Sequence, residues 1–271
     1  MTDGALSDTE LERYARHIVL PQVGGAGQRA LKRARVAVVG AGGLGSPCLT
    51  YLAAAGVGSI TVIDDDHVAL SNLQRQTLFS TADVGQPKAP LAARRLRALN
   101  PHVDVQPVTE RLDETNARVL LAGHDVVADG SDRFATRAAV NRAAVALGIP
   151  LVSAAIGPFS GQVATFAGHR DDASCWACLA GAARDEPGLT CADQGVLGAL
   201  AGVIGALQAA EVIRVLTGFA PLAPGTLFLF DLLDLSARRV RVPKDPGCTV
   251  CRSPAVATAG GDAAARQGRL A

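Results

Sequence analysis

Between Arg35 and Ile63 the chain reads as a short aliphatic strand, Val36 to Val39, a glycine turn, a helix to about Ala55, and a second strand, Ser59 to Ile63. This β-α-β unit constrains the fold more than any other stretch, because strands joined through a helix return parallel and leave both sheet faces to be covered. The alternation persists, with a helix after Pro87 to about Leu99, a strand near Val103 to Val108 and a helix near Glu114 to Leu121. A strand from Asp125 to Ala128, a helix from about Asp132 to Leu147 and a strand from Leu151 to Ala155 follow. Strands alternating with helices predict an open, mainly parallel α/β sheet. Beyond Gly157 the pattern changes to a strand from Gly161 to Phe166, a cysteine-bearing stretch to Gln194 and a helix from about Gly195 to Leu216. Two late strands, Thr226 to Asp231 and Leu235 to Val242, extend the same sheet in mixed orientation.

No linker rich in Pro, Gly or Ser divides residues 35–251, which read as one domain. Ahead of it, Ser7-Asp8-Thr9-Glu10 has capping-box spacing, and Leu11, Tyr14, Ala15, Ile18 and Val19 recur at helical period, so residues 1–34 form a helical arm. Residues 252–271, rich in Ala, Gly and Arg, read as a flexible tail. Of the 271 residues 49% are hydrophobic, enough for a sizeable core, and 26 basic against 25 acidic residues leave a charge of +1, without the surplus of a nucleic-acid binder. The longest apolar run, Val196 to Leu207, falls short of the roughly 20 residues a membrane span requires, and Met1 to Ser7 carries no export signal. A cytoplasmic protein with no membrane partner is expected.

The turn Gly40-Ala41-Gly42-Gly43-Leu44-Gly45 matches G-x-G-x-x-G between a strand and a helix, the pattern that brings backbone N–H groups to a phosphate at a helix N-terminus. Asp64, after the next strand, stands where a ribose hydroxyl is held. Together they predict a Rossmann-like nucleotide-binding fold, and by themselves they fit a dinucleotide equally well. The segment Ser71-Asn72-Leu73-Gln74-Arg75-Gln76 and Lys88 add an amide, a guanidinium and an ammonium shortly downstream, which suit a triphosphate whose charge needs neutralising. Arginine outnumbers lysine 23 to 3, so a lysine retained here stands out. Asp129-Gly130-Ser131-Asp132 ends the next strand, where Asp132 can hold Mg2+ or cap the following helix.

Four of the six cysteines form two C-x-x-C pairs, Cys175 and Cys178, then Cys248 and Cys251, with 69 residues between the pairs. Four thiolates so spaced can close a tetrahedral structural Zn2+ site, the alternative being two redox pairs or two unrelated ones. Cys191 stands just before the helix near Gly195, where a thiol can have a lowered pKa and act as a nucleophile, whereas Cys48 lies in an apolar helix and reads as a packing residue.

The order of these motifs, from Arg13-Tyr14-Ala15-Arg16 through GAGGLG, Asp64-Asp65-Asp66, SNLQRQ, GQPK ending at Lys88, DGSD ending at Asp132, and LTCADQGV between the two C-x-x-C pairs, resembles the ubiquitin-activating-like adenylyltransferase family. Within it, the branch serving molybdopterin and thiamine synthesis is the most similar. The resemblance covers about Leu11 to Cys251. It implies that the C-terminal Gly-Gly carboxylate of a small ubiquitin-like sulfur-carrier protein attacks the α-phosphate of ATP, releasing pyrophosphate ahead of thiocarboxylate formation. It implies that Gly43 with Gly40, Gly42 and Gly45 lines the nucleotide, as do Asp64, Asp66, Ser71, Leu73, Gln74 and Gln76. Asn72, Arg75 and Lys88 contact phosphates, and Asp132 binds Mg2+. Arg16 enters the partner subunit's site in a homodimer, Cys191 matches the reactive cysteine, and the four paired cysteines match zinc ligands.

Two departures stand out. Arg133 follows Asp132 where many relatives carry Asn, so the nucleotide contact there is either missing or replaced by a cation, and about twenty residues after Cys251 leave no room for a sulfurtransferase domain, so a separate sulfur donor is expected. Three rival readings differ in substrate or class. A branch of the same family activates a carboxylate on a modified tRNA nucleoside. An NAD-dependent oxidoreductase leaves Arg75, Lys88 and both cysteine pairs unexplained. A non-catalytic binding partner is disfavoured by the intact set of Arg16, Arg75, Lys88 and Asp132.

Overall fold

The computed structural model describes residues 4–181, 195–220 and 223–252. The arm comprises α1 (Asp8–Arg13), α2 (Ala15–Ile18) and α3 (Gly24–Arg33). Then follow β1 (Arg35–Val39), α4 (Gly45–Ala54), β2 (Ser59–Ile63), α5 (Lys88–Leu99), β3 (Asp104–Val108), α6 (Ala117–Leu121), β4 (Val126–Asp129), α7 (Phe134–Leu147) and β5 (Leu151–Ile156). The remaining described elements are β6 (Ser160–Phe166), α8 (Trp176–Ala180), α9 (Gly198–Thr217), β7 (Thr226–Asp231) and β8 (Ser236–Arg241). Among the described residues the strands form one sheet of eight in the order β3-β2-β1-β4-β5-β6-β7-β8. The pairings are parallel from β3 to β5 and antiparallel from β5 to β8, the expected mainly parallel sheet with mixed C-terminal strands.

Both faces of the parallel part are buried, and β1 shows how. Val36 and Val38 pack in one apolar layer with α3, α4, α5 and α9, while Ala37 and Val39 pack in the other with α6 and α7. A strand alternates faces at every residue, so a run without polar interruption is what a sheet covered on both sides demands. Helix α9 is, among the described residues, the one helix long and apolar enough to cross a membrane, but Leu200, Ile204 and Val212 bury it as a core helix against the sheet. A third, smaller cluster joins Val145 to Cys175, Cys248 and Cys251.

One helix break and two helix starts differ from expectation for local reasons. The first helix closes on the Ser7/Glu10 capping box as read, then breaks at Tyr14, whose buried hydroxyl accepts a hydrogen bond from Asn100 Nδ2 at 2.8 Å. Helix α6 starts at Ala117 because Asp113 Oδ1 accepts from the Thr115 N–H (2.8 Å) and Asn116 Oδ1 from the Asp113 N–H (3.0 Å), holding residues 113–116 in turns. Helix α7 starts at Phe134, with Arg133 in extended backbone at its N-cap and no side-chain cap, so Asp132 does not cap it. Asp129 Oδ1 accepts from both the N–H (2.9 Å) and the hydroxyl (2.7 Å) of Ser131, which keeps this stretch an open loop at the strand end.

Candidate active site

Strand β1 lies between β2 and β4, so successive connections leave it in opposite directions, and open α/β sheets bind ligands in the crevice this creates beyond the carboxyl ends of the strands. A cavity of about 600 Å3 occupies that place. Gly40, Gly42 and Gly43 form its floor at the end of β1. Gly40 has φ +92°, and a Cβ on Gly45 would stand 1.9 Å from the Gly40 carbonyl oxygen, so the first and last glycines are obligatory for the turn to close onto α4. Gly45 itself therefore shapes the turn without lining the cavity.

The acidic run after β2 is tied to this turn. Asp64 Oδ2 accepts from the Ala41 N–H at 2.6 Å and Oδ1 from the Asp66 N–H at 2.9 Å, leaving lone pairs for a hydroxyl ligand. Burial pushes the Asp64 carboxyl above its ordinary range against the opposing charge of Lys88 and those two N–H groups. Lys88, the first residue of α5, is buried, and its Nζ lies 3.1 Å from Asp66 Oδ2, so an ammonium and a carboxylate face the same space. Asn72, Arg75 and Gln76 enter from a short 3-10 turn, Leu70–Asn72, and the residues after it. Arg75 Nη1 donates to Ser71 O at 3.0 Å, and the stem of Arg75 passes close over Gly43. Gln76 Oε1 is buried with no hydrogen-bond partner among the described residues, an acceptor that a bound donor would satisfy. Asp132 and Arg133 close the far wall.

Not every residue of the SNLQRQ segment reaches the cavity. Ser71 supports Arg75 through its carbonyl, Leu73 packs against the core, and Gln74 lies against Gly198 at the start of α9. Arg16 is exposed on α2 and does not line the cavity of its own chain. Cys191 lies outside the described residues. Cys48 is fully buried, its thiol pushed up to about 12 by burial, as a packing residue should be.

The four paired cysteines converge from two distant parts of the chain. Their sulfurs all lie within 4.8 Å of one another, with Cys175 to Cys248 at 3.7 Å, Cys178 to Cys251 at 3.6 Å and Cys175 to Cys178 at 3.9 Å. A tetrahedral ion with metal–sulfur bonds of about 2.3 Å has sulfur–sulfur edges of about 3.8 Å, so the donor set and its spacing fit a closed four-thiolate metal site. Burial pushes the Cys175 thiol up to about 11, so a metal taken up here displaces protons.

Residues 14–250 match the model of the ThiF family. The chain belongs to the ThiF family. A sulfur carrier protein adenylyltransferase from Thermus thermophilus is 50% identical over 247 residues, covering 89% of this chain and 91% of that protein. A molybdopterin-synthase adenylyltransferase from Escherichia coli is 44% identical over 246 residues, covering 91% and 98%. Among solved structures, E. coli MccB with ATP superposes with a TM-score of 0.77 at 24% identity, covering 90% of this chain and 75% of that one, a likeness of fold.

Within this ThiF-family cavity, sequence reading missed Arg111 and Arg137. Arg111 pairs with Asp65 at 2.8 Å just beyond β3, a strand end that carried no motif. Arg137 is buried in α7 beneath the cavity, donating to Ser153 Oγ at 3.1 Å, to Ala154 O at 2.8 Å and to Ser131 O. Its Nη1 stands 4.0 Å from Asp129 Oδ2, and Gln208 Nε2 donates to Asp129 O at 2.9 Å. Asp129 is thus a buried brace for the loop, with Asp132 at the ligand-facing end. An arginine one turn beyond a helix N-terminus, in an otherwise alanine-rich helix, is the signal that could have revealed it.

Proposed function

We propose that this chain adenylates the C-terminal Gly-Gly carboxylate of a small ubiquitin-like sulfur-carrier protein with ATP. The reading rests above all on one observation: the glycine turn, Arg75, Lys88 and Asp132 meet in one cavity at the switch point of the sheet. The names of the Thermus and E. coli relatives support the substrate class. In the reaction a carboxylate oxygen of the carrier bonds to the α-phosphorus, the bond to the bridging oxygen breaks, and pyrophosphate leaves with the electron pair.

The glycine turn receives the phosphates and Asp64 accepts from the ribose hydroxyls. Arg75, Lys88 and Asn72 hold the phosphate oxygens, where fixed cations stabilise charge moving onto the leaving group. Arg133 adds a cation beside Asp132 at the cavity wall. Asp132, exposed at the cavity wall, is the ligand for Mg2+, which when bound neutralises phosphate charge. A second cavity, of about 650 Å3, lies along β5 to β8 and shares Ala155 and Ile156 with the first, which offers an extended carrier tail a route to the α-phosphate. Zinc at the four cysteines ties the α8 region to the stretch after β8 and touches none of the reacting groups. Cys191 serves the later sulfur-transfer stage, and the sulfur comes from a separate donor protein.

The decisive experiment is ATP–pyrophosphate exchange with Mg2+, with and without small ubiquitin-like proteins from the same genome that end in Gly-Gly. Exchange dependent on one carrier is the expected result. A folded protein that binds ATP but exchanges with none of them would remove the sulfur-carrier reading, and NAD binding in place of ATP would remove the nucleotidyl-transfer reading altogether.

We also propose a homodimer in which Arg16 completes the partner's site. Arg16→Ala and Asp132→Ala are then each inactive alone, while mixing them restores exchange to about a quarter of wild type per subunit, since half of the dimers are hybrids and each carries one intact site. Mixtures that stay inactive after demonstrated subunit exchange would place Arg16 outside the site.

A further inference from the structure

Helix α7 runs from the cavity to the cysteine cluster and touches both. Its first residue, Phe134, lines the cavity, and the Phe134 ring packs on that of Trp176 with centroids 6.1 Å apart. Trp176 directly follows Cys175. Two turns along α7 the buried Asn141 grips the same loop with both ends of its amide. Its Oδ1 accepts from the Trp176 N–H at 2.9 Å and its Nδ2 donates to Cys175 Sγ at 3.6 Å. Val145, one turn further, packs within the cysteine cluster. Spacings of seven and four place these three residues on one helix face.

We propose that Asn141 and Trp176 are positioning residues through which metal binding at the four cysteines sets the wall of the nucleotide cavity, so that the two sites are energetically coupled. The proposal rests on the nucleotide reading of that cavity. Drawing the four sulfurs around one ion fixes the position of Cys175, and through the two Asn141 hydrogen bonds that fixes the Trp176 backbone and seats the indole on Phe134. A site that only clamped the chain would change stability without changing nucleotide affinity inside the folded state. The core layer formed with α3, α4, α5 and α9 contains none of the four cysteines, while Trp176 and Cys178 pack at the other layer, so one face of the sheet closes without them.

The test uses the whole protein loaded with zinc or with cobalt, and Mg2+-ATP as ligand. The chain has one tryptophan, so its emission reports the Phe134 contact directly. Saturating ATP is expected to shift that emission and the d–d absorption of the cobalt form. Removing the metal is expected to weaken ATP binding about 5-fold or more by equilibrium dialysis, and ATP to tighten metal retention against a chelator by the same factor, because coupling is reciprocal. Asn141→Ala and Phe134→Leu should each bring that factor towards one while the metal still binds stoichiometrically. ATP binding without any change in the cobalt or tryptophan spectra overturns the coupling alone, and this holds even if the metal-free protein unfolds. Coupling undiminished in both variants overturns the route through Asn141 and Trp176. A loaded protein that binds no ATP overturns both the coupling and the nucleotide reading.

Discussion

Asp132→Ala is expected to lower ATP–pyrophosphate exchange about 10³-fold, the scale of losing a charged ligand that acts on a transferring phosphate. The thermal midpoint should stay within about 2 °C of wild type, because an exposed side chain outside the packed interior contributes little to stability. Structure makes this separation sharp. Arg133, not Asp132, occupies the N-cap position of α7 and supplies no side-chain bond, so helix formation does not depend on the lost carboxylate. The loop is braced from below by Asp129, Ser131 and Arg137, all of which remain. Parallel measurement of exchange, ATP binding and melting decides the matter: full exchange in the variant would remove Asp132 from the catalytic set.

Lys88→Met should cut exchange by about 10²- to 10³-fold, the cost of removing one fixed donor from a developing negative charge. Methionine keeps the stem volume within the buried start of α5, and Asp66, 60% exposed, regains water when its partner is lost. Arginine would not rescue, because a planar fork does not fit the space of a compact ammonium in a site this enclosed. A pH signature accompanies the change. Burial already holds the Asp64 carboxyl above its ordinary range, and Lys88 opposes that rise, so its removal drives the folded-state pKa higher still. A carboxyl with a raised folded pKa costs nothing below its unfolded pKa and costs progressively more as pH rises through the folded value. The urea midpoints of variant and wild type should therefore converge near pH 3 and separate towards neutrality. A separation that is the same at both ends would show that Lys88 does not act on Asp64.

That the glycine turn, Asp64, Lys88 and Asp132 stand at strand ends or helix starts was legible because each signal is local in sequence. Gly40 and Gly45 are required by backbone geometry, and Asp64, Lys88 and Asp132 each follow a turn signal at a strand end or open a helix. The braces were not legible. Arg137 and Gln208 are polar residues within helices, and what distinguishes them from solvated ones is burial against β5 and against Asp129, the latter contacts made across 8 and 79 residues of chain. Arg111 was missed for the related reason that the end of β3 carries no glycine or acidic motif to mark it as part of a cavity wall.

Hydrophobic periodicity and turn chemistry, which act over a few residues, determined the strand and helix order and the parallel-to-mixed change after β5 from the sequence alone, and local C-x-x-C spacing marked the two cysteine pairs. Tertiary structure alone decided which strand ends share a cavity. It also brought four sulfurs into contact across more than 60 intervening residues, and set one face of α7 against both the cavity and the cysteines. Those relations follow from how the layers pack on the twisted sheet. A local pattern states that a face is apolar or a turn is tight, but the neighbour that meets it is chosen only when the whole core closes.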